Sequence, residues 1–382
     1  MPLSYNTAKI IFVNEDAQID TIAATLQSKK EISFDTEFDR FWREYGFKLF
    51  LLQIFDGEIC YLIDPLAIKN LQPIWAVFEN ENICKVAYAC LEDVQLLKLH
   101  GCYIKNVYDV QVLAKLSNHT SNSFAELVVD KCNIQVDKTY QRSNWRKRPL
   151  LPDQLIYASN DVIWLLQIKQ QLLANNFNLA LQYMLQEENI FCQQATVTEY
   201  TVKLTSKQQA TFSNYHKEIL LQLFNERNTI AIKYNVPPAT IIHDTYLEKF
   251  VNDNQVFIKD GFKYGFSNII IQNENLQEIF TKIIISINNT IPNIAERRLT
   301  NPHFENYEAR VKRKANADIL CKAVADLVKE KYGFITGEYI MRGIKRELQV
   351  KPYKEIKLRQ YQHKVFEEIC NSIINKSSVF NF

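Results

Sequence analysis

Along the first 175 residues, apolar positions alternate with polar ones over short runs and recur every third or fourth residue over longer ones. Lys9–Val13 reads as a short strand, and Glu15–Gln27 as an amphipathic helix with Ile19, Ile22, Ala23 and Leu26 on one face. A strand follows through Phe34-Asp35-Thr36-Glu37-Phe38. Lys48–Phe55, with the run Leu49-Phe50-Leu51-Leu52, has the look of a strand buried on both faces. Asp56-Gly57 is a turn signal and Ile59–Ile63 returns as a strand, so 48–63 is predicted to be a hairpin. A helix at Leu71–Phe78, a strand at Ile83–Ala87, a helix at Leu91–Leu99 and a short strand at Val107-Tyr108 come next. Helices are expected over 109–116, 123–132 and 152–173. Strands that pair as hairpins and then alternate with helices make an α/β domain over 1–195, with a mixed sheet of five or six strands flanked by helices.

From about residue 177 the pattern is almost wholly helical. Thr205–Tyr234 is mostly periodic, Val236-Pro237-Pro238 stops it, and a helix restarts over Asp244–Val251. Another helix is expected near Asn275–Asn288, a boundary at Pro292–Asn301, and a last helical bundle over 304–376. Two all-α domains are therefore predicted, at 204–290 and 298–376.

A chain of 382 residues suits two or three domains. With 47% apolar and 23% charged residues it has the makings of a sizeable core. No apolar run approaches the ~20 residues of a membrane span, and the first residues lack a basic stretch followed by an apolar one, so neither a membrane segment nor a signal peptide is expected. The 8 cysteines are scattered without a Cys-x-x-Cys pair, which argues against zinc and for a reduced, cytoplasmic setting. The net charge of +2 conceals an asymmetry. Residues 1–200 hold 18 Lys and Arg against 24 Asp and Glu, and residues 201–382 hold 27 against 19. An acidic half joined to a basic half suggests an acid-lined site beside a surface for a polyanion.

Asp35 and Glu37 stand two residues apart on a strand and so leave one face. They repel each other unless a cation lies between them, and oxygen ligands suit Mg²⁺ or Mn²⁺. Asp93 falls in the first turn of a helix that follows a strand, at the edge where open α/β sheets place their sites. Tyr157 and Asp161 are i and i+4 on one helical face, and Asp161 is flanked by Ile156, Val162, Ile163, Trp164 and Leu165. A carboxylate in such surroundings needs a partner. Four carboxylates and a phenol suffice for two divalent ions ~4 Å apart that cleave a phosphodiester. Asp35 would bridge the ions, Glu37 and Asp161 would complete the one that generates hydroxide, and Asp93 would help place the other. Tyr157, with a phenol pKa near ~10, would orient the attacking water rather than act as a base.

The order Asp-x-Glu, then Asp, then Tyr-x-x-x-Asp resembles the DEDD exonucleases that carry tyrosine in the third motif. Within them, Tyr88-Ala89-Cys90-Leu91-Glu92-Asp93, Tyr108-Asp109-Val110-Gln111 and the stretch from Val136-Asp137-Lys138 through Trp145-Arg146-Lys147-Arg148-Pro149-Leu150 resemble the ribonuclease D group over roughly 10–190. Asn144 departs from the Asp usual before that Trp. The stretch Ala231–Ile242 with Asp244-Thr245-Tyr246-Leu247 resembles the helical domain, called HRDC, shared by ribonuclease D and RecQ-type helicases, and a more degenerate copy lies near Leu327–Leu348. The resemblance implies an RNase H-like catalytic domain, two metal ions, and 3′-5′ trimming of RNA such as tRNA precursors with release of 5′-mononucleotides. It also implies a monomer without an obligate protein partner.

Lys138, Arg142, Arg146, Lys147 and Arg148 surround Trp145 ahead of the 152–173 helix. Cations contact phosphates and an aromatic offers a stacking face for a single-stranded base, so Lys138, Gln141, Trp145 and Arg148 are candidate RNA contacts. Trp145 would serve equally as a core plug, and Phe38 and Trp42 either line the cleft or simply pack. The basic runs Arg310–Lys314 and Arg342 through Arg359 are further RNA candidates or solvated helix faces. A DNA exonuclease with the same chemistry and a non-catalytic nucleic-acid-binding protein stay open as alternatives.

Overall fold

The structure is a computed structural model that describes residues 8–120, 123–174, 179–196, 202–252, 322, 325–348, 359–365 and 367. By internal packing the chain divides into two units. One takes Met1–Glu37, Leu49–Val197 and Glu305–Phe382, and the other takes Phe38–Lys48 and Thr198–Phe304. The helix expected near 275–288, the boundary at 292–301 and the basic run Arg310–Lys314 lie outside the described residues.

The first unit is built on a six-stranded mixed sheet in the order β1-β4-β3-β2-β5-β6. The strands are β1 (Lys9–Val13), β2 (Glu31–Arg40), β3 (Phe47–Phe55), β4 (Ile59–Ile63), β5 (Cys84–Ala87) and β6 (Val107–Asp109). β3 and β4 are the antiparallel hairpin expected from Asp56-Gly57. Gly57 takes the left-handed φ of 98° that the turn requires, while the Asp56 carboxylate accepts the N–H of Glu58 and Ile59. β1 pairs with β4, β2 with β5, and β5 with β6, all parallel. Parallel pairs need crossovers, and α1 (Asp16–Gln27), α2 (Gln72–Glu79) and α3 (Leu91–Leu99) occur in them.

Alternation along β2 assigns its faces. The Phe34 ring packs edge-on against Phe78 of α2, with centroids 5.2 Å apart. Ser33 points the other way and donates from Oγ to the carbonyl of Val162, at 2.8 Å. Asp35 and Glu37 share the face of Ser33, so both look toward the element that holds Val162.

That element is the place where pattern and structure part. One helix was expected over 152–173, but there are two, α6 (Pro152–Ile163) and α7 (Leu165–Leu173), separated at Trp164. The Val162 carbonyl accepts the Ser33 hydroxyl and the Trp164 N–H instead of continuing the i to i+4 ladder. Periodicity carries through the break because Leu165, Ile168 and Leu172 still bury one face of α7.

Helices α4 (Val110–Leu116), α5 (Phe124–Cys132) and α8 (Leu179–Gln194) complete the layer that shares its core with α6 and α7. The described C-terminal residues join this unit. Residues 325–332 and Phe334–Leu348 are helical and meet at Gly333, whose φ of 84° and close approach to Asn118 leave no room for a Cβ. Thr336 donates to the Lys115 carbonyl at 2.9 Å, and the Tyr361 hydroxyl donates to buried Glu188 of α8 at 2.5 Å.

In the second unit, helices at Ser206–Thr211, Asn214–Tyr234, Pro238–Ile241 and Asp244–Asn252 surround a core that includes Leu220, Leu223, Phe224, Ile241 and Leu247. Asn235 ends the long helix in the left-handed conformation, just ahead of the Val236-Pro237-Pro238 stop. Buried Arg227 donates to the Ile242 carbonyl at 2.8 Å and to Asp244 at 2.5 Å. Segment 38–48 belongs here, with Tyr45 donating to Asn228 at 2.9 Å and Glu44 accepting from Asn235 at 3.0 Å. Among the described residues no helix is long and apolar enough to cross a membrane.

Ser33→Ala removes a buried hydrogen bond and orphans part of the Val162 carbonyl. Urea unfolding should show a loss of about 1–2 kcal/mol with an unchanged slope.

Candidate active site

The site forms where the middle of β2 meets the last turns of α6. Period-2 alternation brings Asp35 and Glu37 to one face, and the 3.6-residue turn of α6 brings Tyr157 and Asp161 to one side. The two sets meet: an oxygen from each of Asp35, Glu37 and Asp161 lies within 4.8 Å of the others. Asp93, in the first turn of α3, arrives from the opposite side of the strand. Its buried carboxylate accepts a hydrogen bond from the Thr36 hydroxyl, which points away from Asp35 and Glu37. It remains near enough to Asp35 to repel it electrostatically.

The electrostatics follow from that crowding. Burial, then the charges of Asp93 and Asp161, push the Asp35 carboxyl well above the usual carboxylate range. Burial, then Asp35, Asp161 and Asp93, do the same to Glu37. Burial pushes Asp161 up to about 7, opposed by a hydrogen bond from Tyr157, and Asp93 up to about 6, opposed by its bond from Thr36. Burial and the neighbouring charges of Asp161, Glu37 and Asp35 push the Tyr157 phenol upward as well, which fixes it as a hydrogen-bond donor. Carboxylates with this much mutual repulsion, and no Lys or Arg among the described residues acting on them, fit divalent metal ions, and the all-oxygen donor set suits Mg²⁺ or Mn²⁺.

A cleft of about 380 Å³ opens at the acids, with Asp35, Tyr157 and Asp161 in its lining. Its walls include Lys138, Gln141 and Ser123, and the paired rings of Tyr88 and Phe124, whose centroids are 5.2 Å apart. Lys138 is exposed and donates to Ser123 at 3.1 Å. Tyr88 was noted in the sequence only as part of a motif and Phe124 only within a helix, neither as a wall residue, because an aromatic ring carries no local sign of whether it faces a core or a cleft.

Two of the sequence candidates do other work. Trp145 is 3% exposed and packs in the core with its ring centroid 5.9 Å from that of Tyr157, so it offers no stacking face to a base. Arg148 is tied down by carboxylate and carbonyl oxygens: it bonds both oxygens of Asp64, at 2.5 and 2.7 Å, and donates to the carbonyls of Trp145 and Phe50. It fastens the 138–150 loop to the sheet rather than reaching for phosphate. Arg359 is likewise paired with Glu188, at 2.7 Å. Phe38 packs edge-on against Phe47, and Trp42 is 57% exposed with the Arg43 guanidinium 3.8 Å over its ring. Neither is among the residues that line the cleft.

Comparison with known proteins supports the resemblance to ribonuclease D. Residues 10–175 match the 3′-5′ exonuclease family. The chain is 34% identical over 172 residues to Ribonuclease D of Shewanella sp. and 33% identical over 163 residues to that of Escherichia coli. These alignments take in 44% and 42% of this chain and 44% and 43% of those proteins, so the chain spans under half the length of the curated relatives it matches. The crystal structure of Escherichia coli RNase D, described as an exoribonuclease involved in structured RNA processing, shares the fold with a TM-score of 0.70 at 21% identity. That superposition covers 96% of this chain and 99% of the other. The catalytic core of RRP6 from Trypanosoma brucei superposes with a TM-score of 0.64 at 23% identity, over 74% of this chain and 82% of that one. The N-terminal domain is α/β with a six-stranded mixed sheet flanked by helices, as the pattern along the chain predicts.

The raised carboxyls give the metal-free protein a pH signature. A folded-state pKa above the unfolded one means that the native state holds the extra proton, so stability falls as pH rises from the unfolded value near ~4 through about 7 for Asp161. Asp161→Asn removes the charge and keeps an acceptor for Tyr157. In EDTA, its unfolding free energy relative to the parent should climb by about 1–3 kcal/mol between pH 4 and pH 8. Mn²⁺ should stabilise the parent at pH 8 and leave the variant nearly unaffected.

Proposed function

We propose that this chain, which matches the 3′-5′ exonuclease family over residues 10–175 and is similar to ribonuclease D proteins over under half its length, is a 3′-5′ exoribonuclease that hydrolyses RNA one nucleotide at a time. The observation that carries this reading is the convergence of Asp35, Glu37 and Asp161, within 4.8 Å of one another, in the segment that matches the exonuclease family.

Two divalent ions, Mg²⁺ or Mn²⁺, would supply a hydroxide at neutral pH and neutralise charge on the phosphodiester. The protein's part is to hold and orient. Asp35 would be the ligand the ions share, Glu37 and Asp161 would help hold the ion on the attacking side, and Asp93 would help hold the other. Tyr157, kept protonated by burial and by the acids around it, donates to Asp161 in the metal-free site, and with that carboxylate engaged by an ion its one O–H would turn to the attacking water and aim it. Water adds its oxygen to phosphorus, the 3′ oxygen of the shortened chain leaves with a proton, and a 5′-mononucleotide is released.

The substrate is an RNA with a single-stranded 3′ tail, and tRNA precursors are the favoured source. The cleft suits a tail, with Lys138 to meet phosphate and Gln141 to hydrogen-bond the terminal nucleotide. The helical residues beyond 204 are read as two HRDC-like domains, at 204–290 and 298–376, that hold the folded part of the RNA. Six free cysteines among the described residues fit a reduced, cytoplasmic setting, and the chain is read as a monomer.

Asp35→Ala should cut trimming of a 3′-extended tRNA in Mg²⁺ or Mn²⁺ by at least about 10³-fold, since the bridging ligand is lost. Wild-type trimming by that variant would exclude the two-metal assignment. Matched RNA and DNA single strands decide between substrates, and equal or faster release from DNA would overturn the RNA reading.

Tyr157→Phe should lower the single-turnover rate by about 10²-fold with RNA affinity unchanged, because it disturbs only the aim of the water. An unchanged rate would remove the phenol from the mechanism.

A further inference from the structure

Asp93 sits in a helix that does little to place itself. Cys90, at the N-cap of α3, makes no side-chain cap hydrogen bond. Ala89 before it has φ of 54°, a left-handed conformation that a residue with a Cβ adopts at a cost. Something outside α3 must hold this turn, and one carboxylate does. Asp109, the last residue of β6, accepts the Ala89 N–H at 2.9 Å on Oδ1, and its carboxylate also draws a backbone hydrogen bond from Cys90. The same Oδ1 accepts the Gln111 N–H at 2.8 Å, the N-terminal cap of α4. The backbone N–H of Asp109 donates in turn to Oδ1 of Asn189 on α8, at 3.0 Å. Both side chains are buried. The Asp109 side chain therefore ties the start of α3, four residues before Asp93, to the edge of the sheet and the start of α4, and its backbone N–H ties that point to α8.

We propose that Asp109 is a positioning residue for Asp93: by holding the Ala89–Cys90 turn it sets where the Asp93 carboxylate stands relative to Asp35. It touches neither substrate nor metal. Ala89 also lines the cleft, so the same bond fixes part of the wall beside the acids. The competing account is that Asp109 caps α4 and affects stability alone. The inference rests on the exonuclease reading of the acid cluster.

The test uses the full chain and two readouts: Mn²⁺ binding by titration calorimetry without RNA, and kcat and KM on a 3′-tailed RNA. Asp109→Ala should weaken Mn²⁺ binding by about 10–100-fold and lower kcat by a similar factor at a fixed, subsaturating Mn²⁺ concentration, with KM for RNA unchanged. Asp109→Asn keeps an Oδ1 that accepts from Ala89 and Gln111, and should recover most of both. A lower melting temperature with the parent's Mn²⁺ isotherm and kcat would overturn the proposal and leave only the cap. If Asp109→Ala does not fold, Asn189→Ala decides in its place, with weakened Mn²⁺ binding supporting the proposal and an unchanged isotherm overturning it. Asp93→Ala is the control for the reading beneath. Full RNA cleavage by that variant would discard the acid cluster as the active site, whereas loss of cleavage beside a normal Asp109→Ala would discard only the role of Asp109.

Discussion

Like charges held close together are the constraint on which this structure turns. Asp35, Glu37 and Asp161 repel one another, and burial raises the cost of every charge among them. Nothing in the cluster favours its own assembly, so the surrounding frame must supply the force. β2 supplies it by lying inside the sheet between β3 and β5, and α6 by burying Ala158 and Val162 in the core below its acids. The hydrogen bond from Ser33 to Val162 joins the two. A site of this kind is unfavourable to the empty fold, and a cation held among the acids would relieve that cost.

The parts of this arrangement that were legible beforehand are those fixed by local periodicity. Asp35 and Glu37 share a face because a strand alternates, and Tyr157 and Asp161 share one because a helix turns every 3.6 residues. The hairpin was legible because Asp56-Gly57 has one geometry that suits it. The break at Trp164 was not, because its cause lies 129 residues away in a serine hydroxyl, and the apolar spacing runs through the break undisturbed. The C-terminal residues pose the same difficulty at larger scale. Spacing reports that 334–348 is helical, but the partners of Thr336 and Tyr361 on α4 and α8 are set by tertiary packing.

The 138–150 loop shows why composition misleads near an active site. A tryptophan among cations looks like a surface for a nucleic acid, and the same residues describe a corner that plugs a core. Here Trp145 sinks beneath Tyr157 and Arg148 answers the buried charge of Asp64, while Lys138 and Gln141 remain on the cleft wall. Charge and aromaticity are properties of a residue, whereas exposure is a property of the fold. Asp64 decides the matter for Arg148, and no neighbour in the chain announces it.

The bond from Ser33 to Val162 also sets how this chain can vary. It pins α6 to the sheet one residue past Asp161, so the helix has a fixed rotational phase. Substitutions on its outer side, where Ile156 is half exposed, leave that phase alone. An insertion or deletion of one residue between Tyr157 and Val162 would turn everything on one side of it by about 100° relative to the other. Either the Tyr157 phenol would swing away from Asp161, or Asp161 and the Val162 carbonyl would leave the cluster and the serine together. Length, more than identity, is thus the property of this segment that descent must preserve.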